Sequence, residues 1–119
     1  GKISESAYLC LKLAWIYRGE IQEAKANGAA QERISMYEKY EKEYLEDAYR
    51  GFKQARETEY PPIAGMDENT ITYLLTSIGI HCGKIDEARR YGSALLISRT
   101  ASMKLKNKTR DVLETIKKN

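Results

Sequence analysis

Apolar residues recur along most of this chain at helical spacing, and nowhere do they alternate as a strand would require. Residues 3–26 predict a long first helix, with Ile3, Ala7, Cys10, Ala14, Tyr17 and Ile21 on one face and Leu13 and Ala24 beside it. Tyr8, Leu11 and Trp15, ending at Arg18, form a second stripe on roughly the opposite side. A helix that is apolar nearly all round needs cover on both sides, by a ligand, a second copy or further chain. Asn27-Gly28 is a stop signal, because glycine tolerates the left-handed conformation that ends helices. A second long helix follows over about 30–59, its face built from Ile34, Tyr37, Tyr44, Leu45, Ala48, Phe52 and Ala55, with Glu41 as the polar exception. The charged run Glu38 to Asp47 reads as a solvated face laced with i,i+4 pairs.

Tyr60-Pro61-Pro62-Ile63-Ala64-Gly65 breaks the second helix and resets the chain direction. Asp67 then suits an N-cap and Glu68 the first turn of a third helix carrying Ile71, Leu74, Leu75, Ile78 and Cys82. Gly83 marks its end, and Asp86-Glu87 opens a fourth helix with Ala88, Tyr91 and Leu95. From Ser98 to about Lys106 the pattern reads as a loop or frayed helix, and 107–118 as a last short helix with Val112, Leu113 and Ile116 inward. The expectation is therefore one all-α domain over 1–119 with five helices: hairpin 1 at about 3–59, hairpin 2 at about 67–98, and a capping helix at about 107–118. Ala14 with Ala48, and Thr76 with Ala88, are the expected close-approach points of the two hairpins.

These spacings resemble the tetratricopeptide (TPR) repeat, Trp-x2-Leu-Gly-x2-Tyr, then Ala-x3-Phe, then Pro. Leu75-Thr76 stands at its Leu-Gly position, Gly83 at its inter-helix turn and Ala88 at its close-packing alanine. Leu13-Ala14-x2-Tyr17 and Ala48-x3-Phe52 repeat the pattern in the first hairpin, whose helices are longer than a TPR's. Thr72 stands where the pattern has Trp, and Gly79 and Gly92 where aromatics are usual. The resemblance implies a right-handed array of antiparallel hairpins closed by a capping helix. Across roughly Tyr8 to Ile116 the chain also resembles a bacterial family of uncharacterised function. The resemblance rests on Leu11-Lys-Leu-Ala-Trp-Ile-Tyr-Arg18, Glu43-Tyr-Leu-Glu-Asp-Ala48, Gly65-Met-Asp-Glu-Asn-Thr70 with Tyr73-Leu74, and Thr109-Arg110-Asp111. Members of that family typically begin with a zinc-ribbon-like segment bearing two Cys-x2-Cys pairs, and no such pair is present here. This chain would then be the helical C-terminal part.

Composition narrows the function classes. Charged residues make up 31% and no apolar run approaches the ~20 residues needed to cross a bilayer. No signal peptide is visible, and two cysteines in helical apolar contexts suggest no disulfide framework, so the expected location is cytoplasmic. The net charge of +3 conceals an asymmetry: residues 1–98 carry 13 basic and 15 acidic side chains, and 99–119 carry seven and two. That basic tail (Arg99, Lys104, Lys106, Lys108, Arg110, Lys117, Lys118) could meet nucleic-acid phosphates, but no aromatics are interleaved with it for base stacking.

No paired carboxylates, nucleophile–base pair or phosphate loop stands out, so no catalytic residue, metal site or cofactor is expected. His81 and Cys82 are adjacent on a helix and point about 100° apart, which prevents them from sharing one metal or triad geometry. In TPR proteins the first helix of each repeat lines a concave groove. By position the resemblance assigns that groove to Tyr8, Leu11, Trp15 and Arg18 from the first hairpin, and Thr70, Tyr73, Ser77, Ile80 and His81 from the second. Aromatics with an arginine are typical of interface hot spots. The leading expectation is a non-catalytic scaffold whose partner is a protein or peptide, an N-terminal domain of the same protein, or a second copy. A nucleic-acid-associated or regulatory module acting through the basic C-terminal helix is the alternative, and no membrane partner is expected.

Overall fold

A computed structural model describes residues 2–59 and 65–117. Five helices follow in order: α1 (Lys2–Ala26), α2 (Gln31–Thr58), α3 (Glu68–His81), α4 (Ile85–Leu96) and α5 (Met103–Lys117). The described residues are all-α and contain no strand. The Tyr60–Ala64 part of the expected breaker and the last expected helical residue, Lys118, lie outside the described residues.

Two helix ends are set by the same device. Gly83 has φ 76°, Lys84 N–H donates to Gly79 O at 2.8 Å and Gly83 N–H to Ile80 O at 3.2 Å. Gly28 has φ 68°, with Ala29 N–H to Ala24 O at 2.9 Å and Gly28 N–H to Lys25 O at 3.3 Å. Both are Schellman closures, which satisfy otherwise orphaned carbonyls and need a left-handed residue. At the start of α3 the Asp67 carboxylate accepts from Thr70 N–H at 2.8 Å, a bond that lowers its pKa.

Each helix packs on its chain neighbours: α1 on α2 most extensively, then α2 on α3, α3 on α4, and α5 on both α3 and α4. One buried cluster joins Ala7, Leu11 and Ala14 of α1, Leu45, Ala48, Tyr49, Phe52 and Ala55 of α2, and Ile71, Leu75 and Ile78 of α3. A smaller cluster of Ile21, Ala24 and Ile34 holds the far end of the first hairpin.

Glycines admit three of the helix crossings. A Cβ on Gly51 would fall 2.6 Å from the Ala7 Cβ, one on Gly79 3.4 Å from the Ala88 Cβ, and one on Gly92 2.9 Å from a Leu113 methyl. Gly79 lies against Ala88 at the crossing of α3 and α4, and Ala7–Gly51 is a contact of the first hairpin that periodicity did not single out.

Two boundaries differ from the sequence pattern. The buried face of α1 is Ser4, Ala7, Leu11, Ala14, Ile21 and Ala24, while Cys10 and Tyr17 lie at its edge. α5 begins at Met103, four residues earlier than expected. Ser102 starts it by accepting Leu105 N–H at 3.1 Å on its hydroxyl and Lys106 N–H at 3.0 Å on its carbonyl.

Candidate functional site

The residues singled out on α1 divide into surface and core. Leu11 is 1% exposed and belongs to the central cluster. It is therefore not a groove residue: a leucine 1% exposed has no surface left for a ligand. Tyr8 is half-buried against that cluster, and the Lys12 ammonium stands 4.7 Å from its ring centroid. Trp15, two turns beyond Tyr8, is 49% exposed.

Arg18 Nε donates to the Glu41 carboxylate at 2.9 Å, tying α1 to α2. His81, at the end of α3, feels both charges. Its pKa is lowered chiefly by partial desolvation and next by the Arg18 cation, with Glu41 opposing. Arg18, Glu41 and His81 thus form one electrostatic group contributed by three helices.

On α3, Thr70, Tyr73, Ser77 and Ile80 are half-buried. Tyr73 lies beside α5, its ring centroid 5.8 Å from the Lys108 ammonium. α1 and α3 make no close backbone approach, and α2 packs on both. The surface residues of the set consequently form two groups, Tyr8 with Trp15 on α1 and Tyr73, Ser77 and Ile80 on α3. The Arg18 charge on α1 is felt at His81 on α3.

Periodicity did not separate an outward strip of α1, to which Leu13 belongs rather than to the edge of the inward face. Leu9 is 60% exposed, Ile16 58%, and Leu13 lies between them on the face opposite the core. The signal was present, since 9, 13 and 16 follow i, i+4, i+7 spacing, but on a helix apolar all round it competed with two other stripes. Tyr17 meets Tyr37, Tyr40 and Tyr44 of α2, with ring centroids 5.9, 5.3 and 5.9 Å away. Pairs at these separations add to packing beyond the area they bury.

The strongest titratable cluster is structural. The buried Tyr49 hydroxyl donates to the Glu87 carboxylate, which also accepts from Lys53 Nζ at 3.1 Å. Burial and then that hydrogen bond raise the Tyr49 pKa, while Tyr49 first and Lys53 second lower that of Glu87. The network pins α4 to α2 across the α3 crossing. Both thiols are raised mainly by burial, Cys10 further by Asp47 and Cys82 by Glu46, which leaves them weak nucleophiles. Among the described residues no three His, Cys, Asp or Glu side chains converge on a common point.

Residues 1–116 match a family described as an uncharacterized protein conserved in bacteria (DUF2225). The chain belongs to that family. The match spans all five helices, so the Tyr8–Trp15 surface and the Tyr49–Glu87 network both lie inside the family region. No curated protein and no solved structure matches the chain.

Proposed function

We propose that this member of the bacterial family is a non-catalytic, TPR-like scaffold that binds a protein segment through exposed residues of α1 and of α3, both of which pack on α2. One observation carries the reading: α1 keeps Trp15 half exposed, two turns along the helix from Tyr8, and its outward face adds Leu9 and Ile16. Such a helix leaves several large apolar side chains in water on a chain whose composition is otherwise strongly charged, and exposed apolar surface of this kind marks interaction sites. Arg18, His81, Tyr73, Ser77 and Ile80 supply the polar and aromatic rim on which specificity depends. Hairpins stacked on their chain neighbours, with α5 closing the array, support the repeat-like architecture.

The alternative, phosphate binding by the basic C-terminal helix, is less favoured because its cations are divided. Lys104 and Lys108 line a hollow beside the start of α3, whereas Arg110 and Lys117 line one beside α4. A single basic stripe would track a nucleic-acid backbone better than two flanks.

The test is Trp15→Ala in two measurements, thermal unfolding and pull-down with the 119-residue chain as bait. A melting point close to wild type together with loss of bound partners is the expected result. Unchanged partners, or a collapse in stability with association intact, would make Trp15 ordinary packing and remove the main anchor of the reading.

A further inference from the structure

A second surface lies at the other end of the chain. α4 and α5 enclose an open trough of about 370 Å3, lined by Arg89, Ser93 and Leu96 from α4 and by Arg110, Leu113, Glu114, Ile116 and Lys117 from α5. That volume is near the lower end of ligand-binding pockets and suits one or two side chains rather than a large cofactor. Gly92 creates the close approach: with no side chain there, Leu113 seats directly on the α4 backbone. The side chains flanking that crossing become the walls.

Chemistry separates floor from rim. Leu96, Leu113 and Ile116 are aliphatic, while Arg89, Arg110 and Lys117 are cationic and face a single carboxylate, Glu114. Among the described residues the cations are engaged within their own helices. Arg89 Nη1 lies 3.9 Å from the highly exposed Asp86, Lys117 Nζ 3.4 Å from Glu114, and Arg110 Nη1 donates to Asn107 at 2.8 Å. Exposed pairs of this type are weak, and a guanidinium has five N–H donors, so both arginines keep donors for an incoming group. Two guanidinium forks on opposite walls suit carboxylates, which they can hold bidentately. An aliphatic floor suits an apolar side chain carried between them.

We propose that the α4–α5 trough is a docking site for an acidic peptide segment of a partner protein. An apolar residue would seat on Leu96, Leu113 and Ile116, and flanking Asp or Glu side chains would meet Arg89 and Arg110. The charge complement identifies the occupant. A nucleic acid would satisfy the arginines but has no aliphatic group for the floor, and a second copy would bring the same cations against themselves. This surface is separate from the α1 face, so either can fail alone.

The probe is a labelled peptide of about ten residues carrying a Leu-Phe pair flanked by Asp and Glu, a length that spans one helix groove. Two controls accompany it, one with each acid replaced by Lys and one with the Leu-Phe pair replaced by Ala. Binding to the full chain is followed by fluorescence polarisation and by amide chemical shifts. The wild type is expected to bind the acidic probe, with shifts confined to α4 and α5. The Arg89→Glu/Arg110→Glu double variant is expected to bind at least about tenfold more weakly, as truncated or reversed interface charges do. Both arginines are exposed, so circular dichroism should show the variant folded, and Trp15→Ala should bind the probe normally. Absence of binding, equal binding by the double variant or the lysine probe, undiminished binding of the alanine probe, or shifts centred on α1 would overturn the proposal.

Discussion

Leu11 and Trp15 stand one helical turn apart on α1 and have opposite surroundings. Leu11 is fully buried in the central cluster, so Leu11→Ala should cost about 2–5 kcal/mol, as deletions in close-packed cores do. Trp15 keeps half its surface in water, and Trp15→Ala should cost no more than about 1 kcal/mol. Chemical denaturation of the two variants checks both values. A second residue-scale expectation concerns acid. The folded pKa of Glu87 is lowered below its ordinary 4.5 by the Tyr49 hydrogen bond and by Lys53. A lowered carboxyl pKa contributes stability that is fully present above the ordinary value and is lost as pH falls through the folded one. Glu87→Gln should therefore flatten the acid limb of the melting-point profile below about pH 5, converging with wild type at the most acid end. Parallel wild-type and variant curves from neutral pH to pH 2 would dismiss that linkage.

Among the elements, α1 and α2 owe their close approach to one glycine, Gly51. A Cβ at Gly51 would meet the rigid Ala7 Cβ at 2.6 Å, so Gly51→Ala must force the helices apart. The overpacking penalty, about 1–3 kcal/mol, should exceed the gain of up to about 1 kcal/mol in helix propensity. Gly19 lies in α1 with open space around it, and there the same substitution should stabilise by about 0.5–1 kcal/mol. Opposite signs for one substitution in one hairpin, read from urea midpoints, would confirm the crossing; a stabilising Gly51→Ala would refute it. Element ends were legible because their chemistry is local: Asp67, Gly28 and Gly83 act through atoms within a few residues. The start of α5 was less so, since Ser102 is an unremarkable cap until its bonds to Leu105 and Lys106 are seen. The face of α1 was misphased by part of a turn because a helix apolar all round carries several equivalent stripes, and only neighbours choose among them.

For the whole molecule, the unequal size of the two buried clusters implies graded stability. The main cluster draws on three helices, whereas the distal one rests on Ile21, Ala24 and Ile34 with Ala29 and Tyr37 beside it. Backbone amides at residues 22–38 should exchange faster with solvent than those at 45–55 and 71–79, because local opening follows buried contact density. Mass-spectrometric or NMR hydrogen exchange tests this, and uniform protection along both long helices would contradict it. The Tyr49–Glu87–Lys53 network should keep α2, α3 and α4 in one cooperative unit, whereas the outward strip of α1 contributes little to folding and is free to serve association.

Helix number, helix type and most helix ends follow from the chain alone, because periodicity, caps and left-handed glycines act over a few residues. The sequence also pointed to exposed apolar residues on α1, since that helix is apolar nearly all round and, among the described residues, packs on α2 alone. Tertiary structure decided which α1 stripe is buried, that Leu11 is core, and that Gly51, Gly79 and Gly92 are crossing points rather than weak helix positions. It also brought Arg18, Glu41 and His81 together and assembled the α4–α5 trough from residues up to 28 positions apart. Those properties depend on distances between helices, and an amphipathic pattern fixes the direction a side chain points without fixing what it meets.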